Sequence, residues 1–126
     1  MGTKRVMIVD DALIMRQRIR EIAEEVGWLV VAEAKNGEEA VELYRQVQPD
    51  LVTLDIVMPR MDGVTALKGM IAVDPNARVV MISAVDQKDK LTECIENGAI
   101  DFIVKPFDKA SLRGFFEKYL VAESQK

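Results

Sequence analysis

The sequence predicts an α/β fold in which a doubly wound parallel β-sheet carries helices on both faces. Two observations support it. Five short apolar segments alternate with five amphipathic segments of helical length, and no internal repeat, linker or low-complexity tract interrupts the alternation. Strands that alternate with helices of roughly 10–15 residues imply a parallel sheet, because each helix carries the chain back to the starting edge. Short, right-handed crossovers then favour the doubly wound layout.

Each element is predicted from its apolar periodicity and from the turn residues at its ends. Short apolar runs predict strands at residues 5–9, 28–32, 51–54, 77–82 and 100–104. Apolar residues at three- and four-residue spacing predict helices at about residues 13–26, 37–47, 64–73, 87–97 and 109–121. Gly27 and Gly98 end two of these helices. Asn36 is the predicted N-cap of the second helix, with Glu39 as its capping-box partner. Residues 1–126 are expected to form a single domain.

The composition excludes several classes of function before any motif is considered. The chain has no histidine, which removes His-based triads, most zinc sites and His general bases. A net charge of −4 argues against a general nucleic-acid or anionic-membrane surface. The single cysteine, Cys94, excludes an internal disulfide framework and fits a reducing, cytoplasmic compartment. No signal peptide is predicted, and no apolar run approaches the ~20 residues of a membrane span.

Chemically competent side chains end the predicted strands at one edge of the sheet. Asp10 and Asp11 follow the first strand, Asp55 ends the third, Ser83 the fourth and Lys105 the fifth. In the flavodoxin-like strand order 2-1-3-4-5, the first and third strands flank the topological switch point, where ligands bind in such sheets. Each residue alone could be a helix cap, a loop hydroxyl or a solvated strand end. Because all five side chains lie at the same edge of the predicted sheet, together they indicate a functional site.

The chemistry of these five side chains suits phosphoryl transfer. Three carboxylates in one crevice repel each other unless a pKa rises or a cation is bound. An oxygen-only donor set suits Mg²⁺. Lys105 adds a second positive charge, and the Ser83 hydroxyl can donate a hydrogen bond. The set therefore predicts that Asp55 is a nucleophile that accepts a phosphoryl group.

The chain resembles the receiver domains of response regulators from end to end, as a single receiver domain over residues 1–126. The resemblance is carried by Val9-Asp10-Asp11, Leu54-Asp55, Met58-Pro59, Asp62-Gly63, Ser83-Ala84, Gly98-Ala99, Asp101-Phe102 and Lys105-Pro106. It implies that a histidine kinase phosphorylates Asp55 in the presence of Mg²⁺. It also implies that Asp11, Asp55 and the backbone carbonyl of Val57 ligate the metal, with Asp10 acting mostly through water.

The resemblance also assigns roles to the remaining site residues. Lys105 would contact the phosphoryl group and precede a cis peptide bond to Pro106, and Ser83 would hydrogen-bond the phosphoryl group. Ser83 and Phe102 would form a switch, in which the aromatic ring turns inward on phosphorylation. The fourth helix, fifth strand and fifth helix would then present the readout face. Such a protein is a monomeric, stoichiometric phosphoacceptor and not an enzyme.

Two outputs are compatible with the sequence. The segment at residues 102–107, Phe-Ile-Val-Lys-Pro-Phe, is most similar to chemotaxis regulators of the CheY type. This implies a CheA-like sensor histidine kinase and control of the flagellar motor switch. The alternative is a phosphorelay intermediate, which passes its phosphoryl group to a histidine phosphotransfer protein through Ile14, Met15 and Arg18 on the first helix.

Val57 argues against one class of enzyme and, together with Val85, predicts the rate of self-dephosphorylation. A phosphatase of the haloacid dehalogenase type would need a second Asp two residues after Asp55, where Val57 stands. Val57 and Val85 occupy positions at which receiver domains place side chains over the phosphoryl group. Neither valine can orient an attacking water, so we expect slow self-dephosphorylation.

Overall fold

The computed structural model describes residues 4–84 and 86–124, in which strands and helices alternate strictly. The elements are β1 (Arg5–Val9), α1 (Leu13–Val26), β2 (Leu29–Ala34), α2 (Gly37–Val47), β3 (Leu51–Asp55), α3 (Gly63–Val73), β4 (Val79–Ala84), α4 (Lys88–Glu96), β5 (Asp101–Lys105) and α5 (Lys109–Ser124). The strands form one parallel sheet in the order β2-β1-β3-β4-β5. This confirms the predicted doubly wound, flavodoxin-like (βα)5 fold.

The core consists of two apolar layers, one on each face of the sheet. Val52 and Leu54 of β3 belong to the layer formed with α2, α3 and α4. Leu51 belongs to the layer formed with α1 and α5. Every residue of β3 is buried. A strand covered on both faces needs a nearly continuous apolar sequence, which explains why the run at residues 51–54 predicted it correctly.

The bounds of α5, β2 and β4 differ most from the prediction, and α5 continues to Ser124, three residues beyond its predicted end. Trp28 precedes β2 instead of opening it, because its backbone N–H donates to the carbonyl of Ala23 at the end of α1, at 3.0 Å. β2 continues to Ala34, because Glu33 and Ala34 pair with β1. β4 begins and ends two residues later than predicted, so Ser83 lies within the strand.

The start of α2 differs from the prediction in one contact. The Asn36 side chain accepts a hydrogen bond from the Glu39 N–H at 2.8 Å, as expected of an N-cap. The Glu39 carboxylate, however, accepts from the N–H of Lys35 at 3.0 Å and not from that of Asn36. The expected capping box is therefore displaced by one residue.

Within residues 4–84 and 86–124, no helix has the length and apolar character needed to cross a membrane.

Candidate functional site

Three carboxylates meet where the sheet reverses its winding. β1 and β3 are neighbours, and the helices that follow them, α1 and α3, pack on opposite faces of the sheet. Carboxylate oxygens of Asp10, Asp11 and Asp55 all lie within 4.8 Å of one another. Asp10 and Asp55 are buried, whereas Asp11 is exposed. The predicted convergence of these residues at one sheet edge is present in the structure.

Lys105 reaches this cluster from the edge strand β5. Its Nζ lies 3.2 Å from Asp10 Oδ2 and 3.4 Å from Asp55 Oδ2. The following peptide bond, Lys105–Pro106, is cis. One ammonium group thus faces three carboxylates, which leaves the crevice with an excess of negative charge.

Electrostatics make Asp55 unusual among the carboxylates of the chain. Burial raises the pKa of its carboxyl to about 6; the charge of Asp10 acts in the same direction and Lys105 opposes it. A bound cation would favour the ionised form. Clustered carboxylate oxygens, with neither sulfur nor imidazole, are the donors that a hard divalent ion such as Mg²⁺ prefers, so these residues fit that ion.

Gly63 packs closely against the backbone of Asp55 and Ile56. Its N–H donates to the carbonyl of Ile56 at 2.6 Å. A Cβ atom at position 63 would lie 2.2 Å from the carbonyl oxygen of Asp55 and 2.7 Å from the Cα of Ile56. No side chain fits there without displacing Asp55. The sequence predicts a turn at Asp62-Gly63, whereas the close approach of Gly63 to Asp55 depends on the three-dimensional packing of the loop.

The two predicted switch residues lie on neighbouring strands, Ser83 on β4 and Phe102 on β5. Ser83 is buried next to Ile82, the residue of β4 that pairs with Asp55. Phe102 on β5 is 45% exposed. Both line a cavity of about 250 Å³ between β4, α4 and β5, together with Ala84, Lys88, Leu91 and Val104.

Of the two valines predicted to lie near the phosphoryl group, only Val57 is among the described residues. Val57 lies in the loop after Asp55 with its side chain 48% exposed. Val85 lies outside the described residues. The structure therefore locates one of the two apolar positions that the family resemblance assigns to the phosphoryl group.

An open (βα)5 sheet with an acidic crevice at its switch point, and a lysine that reaches this crevice from the edge strand, is typical of the receiver class of signalling domains. The chain belongs to the response regulator receiver domain family, whose sequence profile matches residues 6–117. It is 53% identical over 103 residues to chemotaxis protein CheY of Bacillus subtilis, covering 82% of this chain and 86% of that protein. Over 108 residues it is 49% identical to protein CcdB of the same organism, covering 86% and 90%.

A solved structure supports the same class. The crystal structure of the CheX–CheY–BeF₃–Mg²⁺ complex from Borrelia burgdorferi matches with a TM-score of 0.87 and 39% identity, covering 93% of this chain and 89% of the matched chain. These similarities place the chain among receiver domains of CheY-type chemotaxis response regulators.

Proposed function

We propose that this receiver is a phosphorylation-activated switch that accepts a phosphoryl group on Asp55 from a CheA-like sensor histidine kinase. The observation that supports this most directly is the environment of Asp55. A buried carboxylate lies 3.4 Å from a lysine ammonium and beside two further carboxylates. This arrangement suits a nucleophile whose reaction develops negative charge on transferring oxygens.

In the proposed reaction, a carboxylate oxygen of Asp55 bonds to the phosphorus of a phosphohistidine. The phosphorus–nitrogen bond breaks, and the leaving imidazole takes up a proton. Lys105 offsets charge on the phosphoryl oxygens, and the Ser83 hydroxyl donates a hydrogen bond to one of them. Asp55 retains the phosphoryl group, so each chain accepts one phosphoryl group and does not turn over a substrate.

Mg²⁺ is the proposed cofactor of this transfer. Asp11, Asp55 and the carbonyl of Val57 would hold the ion, with Asp10 acting through water. When bound, the ion supplies charge neutralisation at the phosphoryl oxygens.

The proposed output is binding to the flagellar motor switch by a cytoplasmic, monomeric protein. CheY-type relatives support this output. A protein-binding face of α4, β5 and α5 is also supported by three exposed apolar residues on or beside α4 and β5, namely Ile95, Ile100 and Phe102. The phosphorelay alternative through α1 is not favoured, since several relatives at about 50% identity bear the name chemotaxis protein CheY.

Intact mass after incubation with acetyl phosphate tests the phosphoacceptor function. We expect a gain of about 80 Da, one phosphoryl group, that requires Mg²⁺. Asp55→Asn should abolish the gain, whereas Asp89→Asn, at an exposed position on α4, should retain it. No gain in the wild-type chain under any of these conditions would contradict the proposal.

A further inference from the structure

Asp10 is held at each of its four polar groups. Its N–H donates to the carbonyl of Ala34 at 3.0 Å, and its Oδ1 accepts from the N–H of Ala12 at 2.9 Å. Its Oδ2 lies 3.2 Å from Lys105 Nζ. Its backbone carbonyl accepts a hydrogen bond from Arg16 Nη1 at 2.7 Å.

The contact with Arg16 bears directly on Asp11. The carbonyl of Asp10 belongs to the peptide unit that joins Asp10 to Asp11, so Arg16 fixes the plane from which Asp11 projects. Asp11 is exposed, and its carboxylate makes no hydrogen bond within the part of the chain that the structure describes. The position of that carboxylate therefore depends on the backbone that Arg16 holds.

Arg16 is itself fixed by β2. Its Nε donates to Glu33 Oε1 at 3.1 Å, and its side chain is 14% exposed. The second carboxylate oxygen of Glu33 accepts from Arg20 Nε at 2.8 Å. A guanidinium presents donors in a rigid plane, so one Arg16 side chain can bond Glu33 and the Asp10 carbonyl in a single geometry. Arg16 thus ties β2 and α1 to the acidic loop.

We infer that Arg16 is a positioning residue for the metal site: it holds the Asp10–Asp11 peptide so that both carboxylates are preorganised for Mg²⁺. The inference rests on the proposed function, because it assumes that the acidic crevice binds this ion. Groups that orient metal ligands typically contribute about 10–100-fold to metal affinity. A purely electrostatic role predicts the opposite sign, since removing a cation beside the crevice would tighten Mg²⁺ binding.

Calorimetric titration with MgCl₂ distinguishes these roles when Arg16→Gln is compared with Arg20→Gln. Both substitutions remove one positive charge from α1 and a hydrogen bond to Glu33. The bonds of Arg20 go to Glu33 and Glu24, whereas Arg16 also bonds Asp10. We expect Arg16→Gln to weaken Mg²⁺ binding about tenfold and Arg20→Gln to change it less than about twofold.

Arg16→Lys keeps the charge but lacks the planar guanidinium group, so its Mg²⁺ affinity should also fall. This variant tests the inference if Arg16→Gln does not fold. Thermal unfolding in EDTA should show that Arg16→Gln and Arg20→Gln are both folded at the temperature of the titration, which separates a loss of Mg²⁺ affinity from a loss of the fold. Unchanged or tighter Mg²⁺ binding in the Arg16 variants would overturn the inference and leave the proposed function intact. A wild-type chain that binds no Mg²⁺ would overturn both.

Discussion

Asp55 and Thr53 lie two residues apart on β3, so their side chains point to the same face of the sheet. Both are buried, at 6% and 1% exposure. Asp55 faces charged groups at the end of the strand, whereas none of the described residues offers the Thr53 hydroxyl a hydrogen-bond partner. The same strand therefore carries the proposed phosphoryl acceptor and, two residues earlier, a buried hydroxyl with no partner among the described residues.

We expect Thr53→Val to raise the free energy of unfolding by about 1 kcal/mol, because it removes an unsatisfied buried hydroxyl at nearly constant shape. Urea denaturation followed by the fluorescence of the buried Trp28 measures this. Thr65→Val, at an exposed position on α3, serves as the control and should change stability little. A loss of stability in Thr53→Val would show that the hydroxyl has a favourable partner.

We expect Val57 to influence a second property at this scale, the lifetime of the phosphorylated state. Its half-exposed apolar side chain can neither donate nor accept a hydrogen bond to an attacking water. Val57→Asn introduces both functions next to Asp55, so we expect several-fold faster loss of the phosphoryl group. The decay of the phosphorylated mass after removal of the donor reports the rate. Val57→Leu should stay as slow as the wild type, and an unchanged rate in Val57→Asn would count against this explanation.

At the scale of the elements, two glycines lie within helices, but only one of them permits a close contact with a neighbouring helix. Gly69 lies on α3 where it packs against α2, and a Cβ there would be 2.9 Å from Val41 Cγ2. Gly114 is exposed on α5, and a Cβ there would meet nothing within 4 Å. The periodicity of the sequence placed both glycines within helices, but packing distinguishes the one that permits a close helix contact.

We therefore expect Gly114→Ala to stabilise the protein by about 1 kcal/mol, the difference in helix propensity between the two residues. In Gly69→Ala the same gain is opposed by the clash with Val41, so its stability should lie below that of Gly114→Ala. Denaturant midpoints of the two variants and the wild type provide the comparison. Equal stabilisation by both substitutions would mean that α2 and α3 separate at no cost.

The element bounds predicted from the sequence are most accurate where a strand is buried on both faces. β3 was predicted almost to the residue because both faces are covered and its sequence is nearly all apolar. β2 was placed too early, because Glu33 does not read as a strand residue. In the structure, Glu33 accepts hydrogen bonds from Arg16 and Arg20, which makes a carboxylate acceptable in that strand.

The site residues likewise fall into two groups: those that could be predicted from the sequence and those that could not. Asp10, Asp55 and Lys105 could be brought together from the sequence, because a parallel sheet directs the carboxyl ends of its strands to one edge. Arg16 could not, because an arginine on an amphipathic helix usually lies in solvent, and its bond to Asp10 depends on how α1 is rotated against the sheet. Contacts set by topology were predictable, whereas contacts set by side-chain direction were not.

At the scale of the whole molecule, the two predicted switch residues line one cavity beside the proposed partner face. Ser83 is buried and Phe102 is 45% exposed at this cavity. Its volume of about 250 Å³ exceeds the ~150 Å³ that holds a benzene molecule in an engineered protein cavity. The Phe102 ring thus has room to move inward, and a ring without a hydroxyl leaves no unsatisfied donor when buried.

We expect occupation of the site by beryllofluoride and Mg²⁺ to move the Phe102 ring from the surface into this cavity. A ligand shifts such an equilibrium only through contacts that differ between the two states, and the Ser83 hydroxyl supplies one. Fluorine NMR of the chain labelled with 4-fluorophenylalanine can follow the four phenylalanines. The resonance missing in Phe102→Leu identifies the ring, and its H₂O/D₂O isotope shift should shrink on saturation. Ser83→Ala should keep the ring exposed although Mg²⁺ still binds, whereas an unchanged Phe102 signal in the saturated wild-type chain would show that this ring does not couple the site to the face.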